Sequence, residues 1–260
     1  MTTVLGAVLR AGSLAGLITG LMFTGIEGVL AGAAFHLAPM QTTFAPVGRG
    51  TTQSFEVVSS GTQPVAVEIH MVKRIIAPDG TETNPNADDE FIVYPPQILL
   101  NPGERQRVRV TWLGDPNPPQ ELTYRIVAEQ LPINLGQIET QQGGRNVIIK
   151  TLFEYVGSVY ITPRNAQADV GLDSLVAVAN PRGGTQLKVT LINRGNRHQI
   201  MGRVSLAVQG ENGEILQFSP EQLQAIAGEN MLAGMKREFI LPLPNGTPVG
   251  PMTGEFQVQP

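Results

Sequence analysis

Asn101-Pro102-Gly103-Glu104 runs directly into Arg105-Gln106-Arg107-Val108-Arg109-Val110-Thr111-Trp112. Pro fixes φ and Gly accepts positive φ, so the first four residues read as a turn, and the β-rich run after them reads as a strand. The same unit recurs on both sides. Period-2 or continuous β-rich runs lie at 53–58, 65–71, 90–93, 122–129 and 147–161, with a further turn signal at Ala77-Pro78-Asp79-Gly80. About seven short strands at spacings of roughly 8–12 residues are the arithmetic of a β-sandwich. A second series follows at 175–178, 186–192, 203–209, 214–218, 237–241 and 254–258, broken by Asn180-Pro181 and Gly210-Glu211-Asn212-Gly213. The boundary belongs near Thr162-Pro163-Arg164-Asn165, because Pro extends the residue before it and offers no ladder donor. No amphipathic helix of ten residues is expected before 219–233, where a helical turn or two fits, and the polar stretch 136–145 reads as a mobile loop. The expectation is therefore all-β: two immunoglobulin-like sandwich domains joined by a short linker, 35–162 and 163–260.

Composition supports this and removes much chemistry. The 260 residues are 42% hydrophobic and 15% charged, enough to bury a substantial core. Aromatics are 5% against 29 Gly and 20 Pro, which favours short strands and frequent turns. With no Cys there is no disulfide or thiol chemistry, and His36, His70 and His198 are the only imidazoles. A net charge of -4 gives no field that would draw phosphate backbones, so nucleic acid is not an expected partner.

Residues 1–34 differ from the rest. Arg10 precedes an apolar, small-residue run from Ala11 to Gly25, and a stretch ending Leu30-Ala31-Gly32-Ala33-Ala34 follows. This reads as a secretory signal peptide cleaved near Ala33 or Ala34. Gly and Thr interruptions and Glu27 make it a poor membrane span, so no stable membrane insertion is expected after cleavage. Loss of Arg10 together with Glu27 leaves the formal charge unchanged.

The most informative run is Val147-Ile148-Ile149-Lys150-Thr151-Leu152-Phe153-Glu154-Tyr155-Val156. Val147, Ile149, Thr151, Phe153 and Tyr155 share one uncharged face, and Ile148, Lys150, Leu152, Glu154 and Val156 the other. Pattern alone fits a central core strand as well as an edge strand. The length of the run, to Ile161, favours an edge. An apolar edge is an aggregation hazard unless it is kept for pairing with another chain, and in strand addition alternate side chains fill the partner's pockets.

Ordered blocks in the first domain resemble the periplasmic PapD-like pilus-assembly chaperones. They are Phe91-Ile92-Val93-Tyr94-Pro95-Pro96, then Ile98 through Val110 around Pro102-Gly103, then Glu121-Leu122-Thr123-Tyr124-Arg125 closing on Leu131-Pro132, a loop, and the long strand ending at Pro163. The resemblance covers essentially all of the first domain. In the second, the Leu191-Ile192-Asn193-Arg194-Gly195-Asn196 turn and Leu232-Ala233-Gly234 are similar in style only. It implies a non-enzymatic, ATP-independent chaperone without cofactor or metal. Such a protein holds pilin-like subunits in the periplasm by donor-strand complementation and passes them to an outer-membrane usher. The matched donor residues are Ile149, Thr151, Phe153 and Tyr155, with Val147 as a fifth. Should that face be the buried one, the set becomes Ile148, Leu152 and Val156, since a one-residue slip exchanges the faces.

The sequence departs from the family pattern in its basic residues. The Arg and Lys that anchor a subunit's terminal carboxylate fall here on Gln41 and Ser158, leaving Arg109 and Arg125 on neighbouring strands as candidate anchors. The family's internal ion-pair network has its first basic place at Leu99 and its acidic place at Glu121. A secreted adhesin or carbohydrate-binding module is the alternative reading, with Trp112, Tyr94 and Tyr124 as stacking residues. Asp88-Asp89-Glu90 lacks a second ligand group and reads as a solvated loop, and the Arg182, Arg194, Arg197 and Arg203 group as a scattered surface.

Overall fold

The computed structural model describes residues 35–133, 152–210 and 213–259. Expectations that fall elsewhere lie outside the described residues: the signal segment, the 136–145 loop, and Val147, Ile148, Ile149, Lys150 and Thr151 of the long strand.

The first domain holds β1 (Phe35–Ala38), β2 (Gln41–Phe44), β3 (Thr52–Ser59), β4 (Val65–Lys73), β5 (Ile75–Ile76), β6 (Glu82–Thr83), β7 (Phe91–Tyr94), β8 (Gln97–Leu100), β9 (Arg105–Trp112), β10 (Leu122–Gln130) and β11 (Glu154–Ile161). One sheet runs β1-β3-β9-β7, the other β2-β11-β10-β4-β8, and β5 and β6 form a separate hairpin. Alternation decides which side chains meet between the sheets. Phe55, Val57, Val108, Val110 and Trp112 from the first sheet share a core with Val67, Ile69, Met71, Tyr124, Ile126, Val159 and Ile161 from the second. Each such burial contributes about 1.5–3 kcal/mol. Phe91 sits among rings, 5.0 Å from Trp112 and 4.9 Å from Tyr124, both edge to face.

The first two strands belong to different sheets. β1 pairs antiparallel with β3, and after Pro39 and Met40 the chain crosses so that β2 pairs parallel with β11. The crossing requires a small residue beneath it. A Cβ on Gly157 would stand 2.9 Å from Ile126 Cγ2 and 3.3 Å from the Met40 carbonyl oxygen.

The second domain holds β12 (Val170–Ala179), β13 (Thr185–Asn193), β14 (Gln199–Ile200), β15 (Arg203–Gln209), β16 (Ile215–Gln217), β17 (Asn230–Met231), β18 (Lys236–Pro242) and β19 (Gly250–Gln259). Strand order is β16-β15-β19-β12-β13-β18. β19 pairs with β12 through 250–252 and with β15 through 253–259, so one strand serves both halves. The 220–228 segment forms consecutive hydrogen-bonded turns, not an α-helix, and sends Leu223 and Ile226 into the second core. The all-β, two-domain sandwich expectation holds.

Candidate functional site

β11 has an edge of unequal use. On one side β10 pairs with its whole length, Glu154 to Ile161. On the other, β2 covers only Ser158 to Ile161. On that side the backbone at 154–157 therefore has no strand paired with it among the described residues. Its faces are distinct as well: Phe153 and Tyr155 are half-buried and pack on the first core, Tyr155 meeting Phe35 edge to face at 5.2 Å. Leu152 and Val156, on the opposite face, are 49% and 39% exposed. Thus the face bearing Phe153 and Tyr155 is the inner one where it is described.

Gln41 and Ser158, the two places that lack the expected basic residues, are register partners between β2 and β11. Arg125 supplies a cation next to them from β10, where it is itself Ser158's register partner. Its Nη1 donates to Ser158 Oγ at 2.7 Å, while Nε and Nη2 donate to Glu82 Oε1 and Oε2 at 2.9 Å each. That is the two-pronged fork by which Arg grips a carboxylate. Arg74 Nε donates to Glu82 Oε2 at 3.0 Å. Burial works against charge on Glu82, but hydrogen bonds from Arg125, Asn84 and Arg74 outweigh it and hold the carboxyl down at about 2. Two guanidiniums share one carboxylate, so the cluster keeps one net positive charge. Arg109 stands elsewhere, exposed on β9 in the other sheet and opposite Tyr94 of β7.

Sequence reasoning did not single out Arg74 or Glu82. Glu82 lies 43 residues from Arg125, and only the Ala77-Pro78-Asp79-Gly80 turn hints that a hairpin returns the chain there. A hollow of about 240 Å³ opens beside Arg74, bounded by Lys73, Gln120 and Leu122 of the first domain and Leu232 of the second.

The acidic place of the expected ion-pair network, Glu121, lies at the joint between the domains with its side chain wholly buried. It accepts from the His198 backbone N–H at 2.9 Å and from Thr162 Oγ at 2.6 Å, and meets His198 Nδ1 at 2.5 Å. Burial raises the Glu121 pKa, yet the hydrogen bonds from His198 and Thr162 more than compensate and leave it below the ordinary value. The His198 ring stacks on Tyr160 of β11, centroids 3.9 Å apart and nearly parallel. Leu99, the network's first basic place, is exposed on β8 and carries no charge.

The other candidates resolve into structural parts. Trp112 and Tyr124 are buried core rings, and Tyr94 alone of the three proposed stacking residues is exposed. Asp88 accepts from the Met71 amide and Asn86, and Glu90 pairs with Lys73 Nζ at 2.5 Å and with the Tyr124 hydroxyl. Among the described residues no three His, Asp or Glu side chains are placed to hold a metal ion. No helix among them is long and apolar enough to cross a membrane. His36 is exposed on β1, and His70 lies 3.9 Å from Glu129. Arg182, Arg194, Arg197 and Arg203 are all exposed, Arg194 donating to the Leu172 carbonyl.

Residues 37–154 match the family model described as pili and flagellar-assembly chaperone, PapD N-terminal domain. Three solved structures share the fold across both domains. A chain of a chaperone–tip adhesin complex of CFA/I fimbriae biogenesis is 14% identical, with 86% of this chain and 99% of that one covered at a TM-score of 0.53. The class 5 fimbriae chaperone CfaA is 14% identical, covering 85% and 98% at 0.51. A chain of the CsuC–CsuE pre-assembly complex from the archaic chaperone-usher Csu pili of Acinetobacter baumannii is 15% identical, covering 86% and 97% at 0.53. No curated protein matches the chain by sequence. The first domain thus belongs to the PapD N-terminal domain family of pilus-assembly chaperones.

Proposed function

We propose that this pilus-assembly chaperone works in the periplasm, after removal of 1–34, by lending its long strand to pilin-like subunits and delivering them to an outer-membrane usher. The observation that carries the reading is the half-open edge of β11: paired over Ser158 to Ile161 by β2 and, among the described residues, unpaired on that side over 154–157, where it follows the Val147 to Tyr155 run in sequence. A sandwich lacking one strand exposes backbone donors and core together, and an unpaired strand edge with apolar alternation satisfies both.

The donor set is Val147, Ile149, Thr151, Phe153 and Tyr155. Two sheets joined edge to edge share one inner side, so side chains that face this chain's core on β11 face the core of a subunit paired to the same edge. The inward placement of Phe153 and Tyr155 supports that set over Ile148, Leu152 and Val156. Arg125 is the carboxylate anchor, since it stands beside Gln41 and Ser158 with its guanidinium on the outer face of the β11 sheet. The place of Arg109 in the opposite sheet favours Arg125 over it.

The test is co-expression of the chain with the products of neighbouring genes, followed by periplasmic pull-down with wild type and with Phe153→Arg plus Ile149→Arg. Co-purification of a sandwich-type subunit with wild type, and its loss with a folded double variant, supports donation. Retention by the folded double variant refutes it.

A further inference from the structure

The β5–β6 hairpin touches both domains. At its base, Glu82 fills the fork of Arg125 and takes Nε of Arg74. At its tip, the Pro78 carbonyl accepts from the Glu238 amide at 2.7 Å and from Arg237 Nη1 at 3.3 Å, both on β18. Ile76 packs against the second core. Gly80, at φ +96, lies so close to Arg237 that a Cβ would stand 2.3 Å from Nη1.

A guanidinium fork occupied by a carboxylate is a carboxylate site already filled. Arg125 has Nε, Nη1 and Nη2 all engaged, whereas Arg74 spends only Nε, and its two Nη groups have no hydrogen-bond partner among the described residues. An incoming carboxylate finds open donors on Arg74 first and gains the fork of Arg125 only by replacing Glu82. Protonation does not clear the fork, because Glu82 stays ionised down to about pH 2.

We propose that Glu82 is an internal stand-in for a partner's carboxylate, and that its displacement from Arg125 loosens the hairpin moored on the second domain at Arg237 and Glu238. This rests on the anchor role assigned to Arg125 above and adds its regulation: occupancy of the cation cluster is coupled to the joint between domains. Glu82 and a ligand carboxylate compete for one fork, so whatever weakens Glu82's hold strengthens the ligand's, in line with the reciprocity of linked equilibria.

The probe is N-acetyl-Val-Thr-Phe with a free carboxylate, its C-terminal amide serving as control, titrated into the full chain and followed by NMR. The carboxylate form, and not the amide, shifts the Arg125 Nε–H resonance and speeds exchange of the Glu238 amide. Glu82→Gln binds it about fivefold tighter than wild type, within the usual span of coupling energies. Gly80→Ala, which strains the mooring at Arg237 without touching Arg74 or Arg125, tightens binding in the same direction. Without ligand, Glu82→Gln already exchanges its Glu238 amide faster. Weaker binding by Glu82→Gln would mean that Glu82 only orients the guanidiniums, and the competition is refuted. Unchanged Glu238 exchange in that variant refutes the coupling, with or without ligand. Failure of every variant to bind the peptide refutes both, while strand donation is judged separately by the pull-down.

Discussion

Glu121 of the first domain and His198 of the second meet at 2.5 Å across the joint, carboxylate Oε1 to imidazole Nδ1, with the Glu121 side chain wholly shielded from water. Burial disfavours charge on a carboxylate, and hydrogen bonds made to its charged form favour it. The native pKa of Glu121 is depressed below the ordinary 4.5 because hydrogen bonds from His198 and Thr162 overcome the cost of burial. A depressed native pKa contributes stability that is full above the ordinary value and is lost as pH falls through the lowered one. Thermal melts from pH 6 to pH 3 show this loss in wild type. Glu121→Gln removes about 2 kcal/mol at pH 6 and flattens that part of the profile. An unchanged profile in Glu121→Gln would show that the pair does not contribute to the joint.

The ring cluster of the first core gives a second expectation. Phe91 is buried and contacts Trp112, Tyr124 and, at 6.2 Å, Phe44. Phe91→Ala opens a cavity among rings that cannot collapse easily and costs about 3–5 kcal/mol. Trp112 is the chain's only tryptophan, so its fluorescence in a urea titration reports the first domain directly. A shift of the midpoint worth under about 1 kcal/mol would show that the cluster relaxes to fill the space.

Gly157 tests the strand crossing. A Cβ there meets Ile126 Cγ2 at 2.9 Å and the Met40 carbonyl oxygen at 3.3 Å, the oxygen that accepts from the Ser158 amide. Gly157→Val pushes β2 away from β11 and destabilises the first domain by about 1–3 kcal/mol, the range for overpacking. Faster amide exchange at Ser158 than at Ile126 in that variant checks that the damage starts at β2.

Much of this architecture is legible in local pattern. β9 and β15 coincide with the runs at 105–112 and 203–209, because alternation between two turns is a complete local signal. β1 and β2 escape such reading: they are four residues each, Gln41-Thr42-Thr43 is polar, and β2 exists because β11 lies beside it 117 positions later in register with Ser158. The cation cluster is hidden for the same reason. Arg74, Glu82, Arg125 and Ser158 are assembled by strand register and a hairpin, and no spacing along the chain announces them. Gln41 and Ser158 were identifiable only by resemblance, and the register places them side by side.

The two faces of β11 give the last expectation, a contrast between neighbours. Phe153 lies half-buried on the inner face, whereas Leu152 beside it is 49% exposed and points away from the first core. Exposed apolar residues removed from packing change stability little, so Leu152→Arg and Val156→Arg leave the urea midpoint within about 0.5 kcal/mol of wild type. On the proposed donor face, Ile149→Arg abolishes capture of a subunit in periplasmic pull-down. Leu152→Arg retains capture, because a subunit joined at the same edge shares the inner side of the sheet and not the outer one. The reverse result, capture lost with Leu152→Arg and kept with Ile149→Arg, would assign donation to Ile148, Leu152 and Val156.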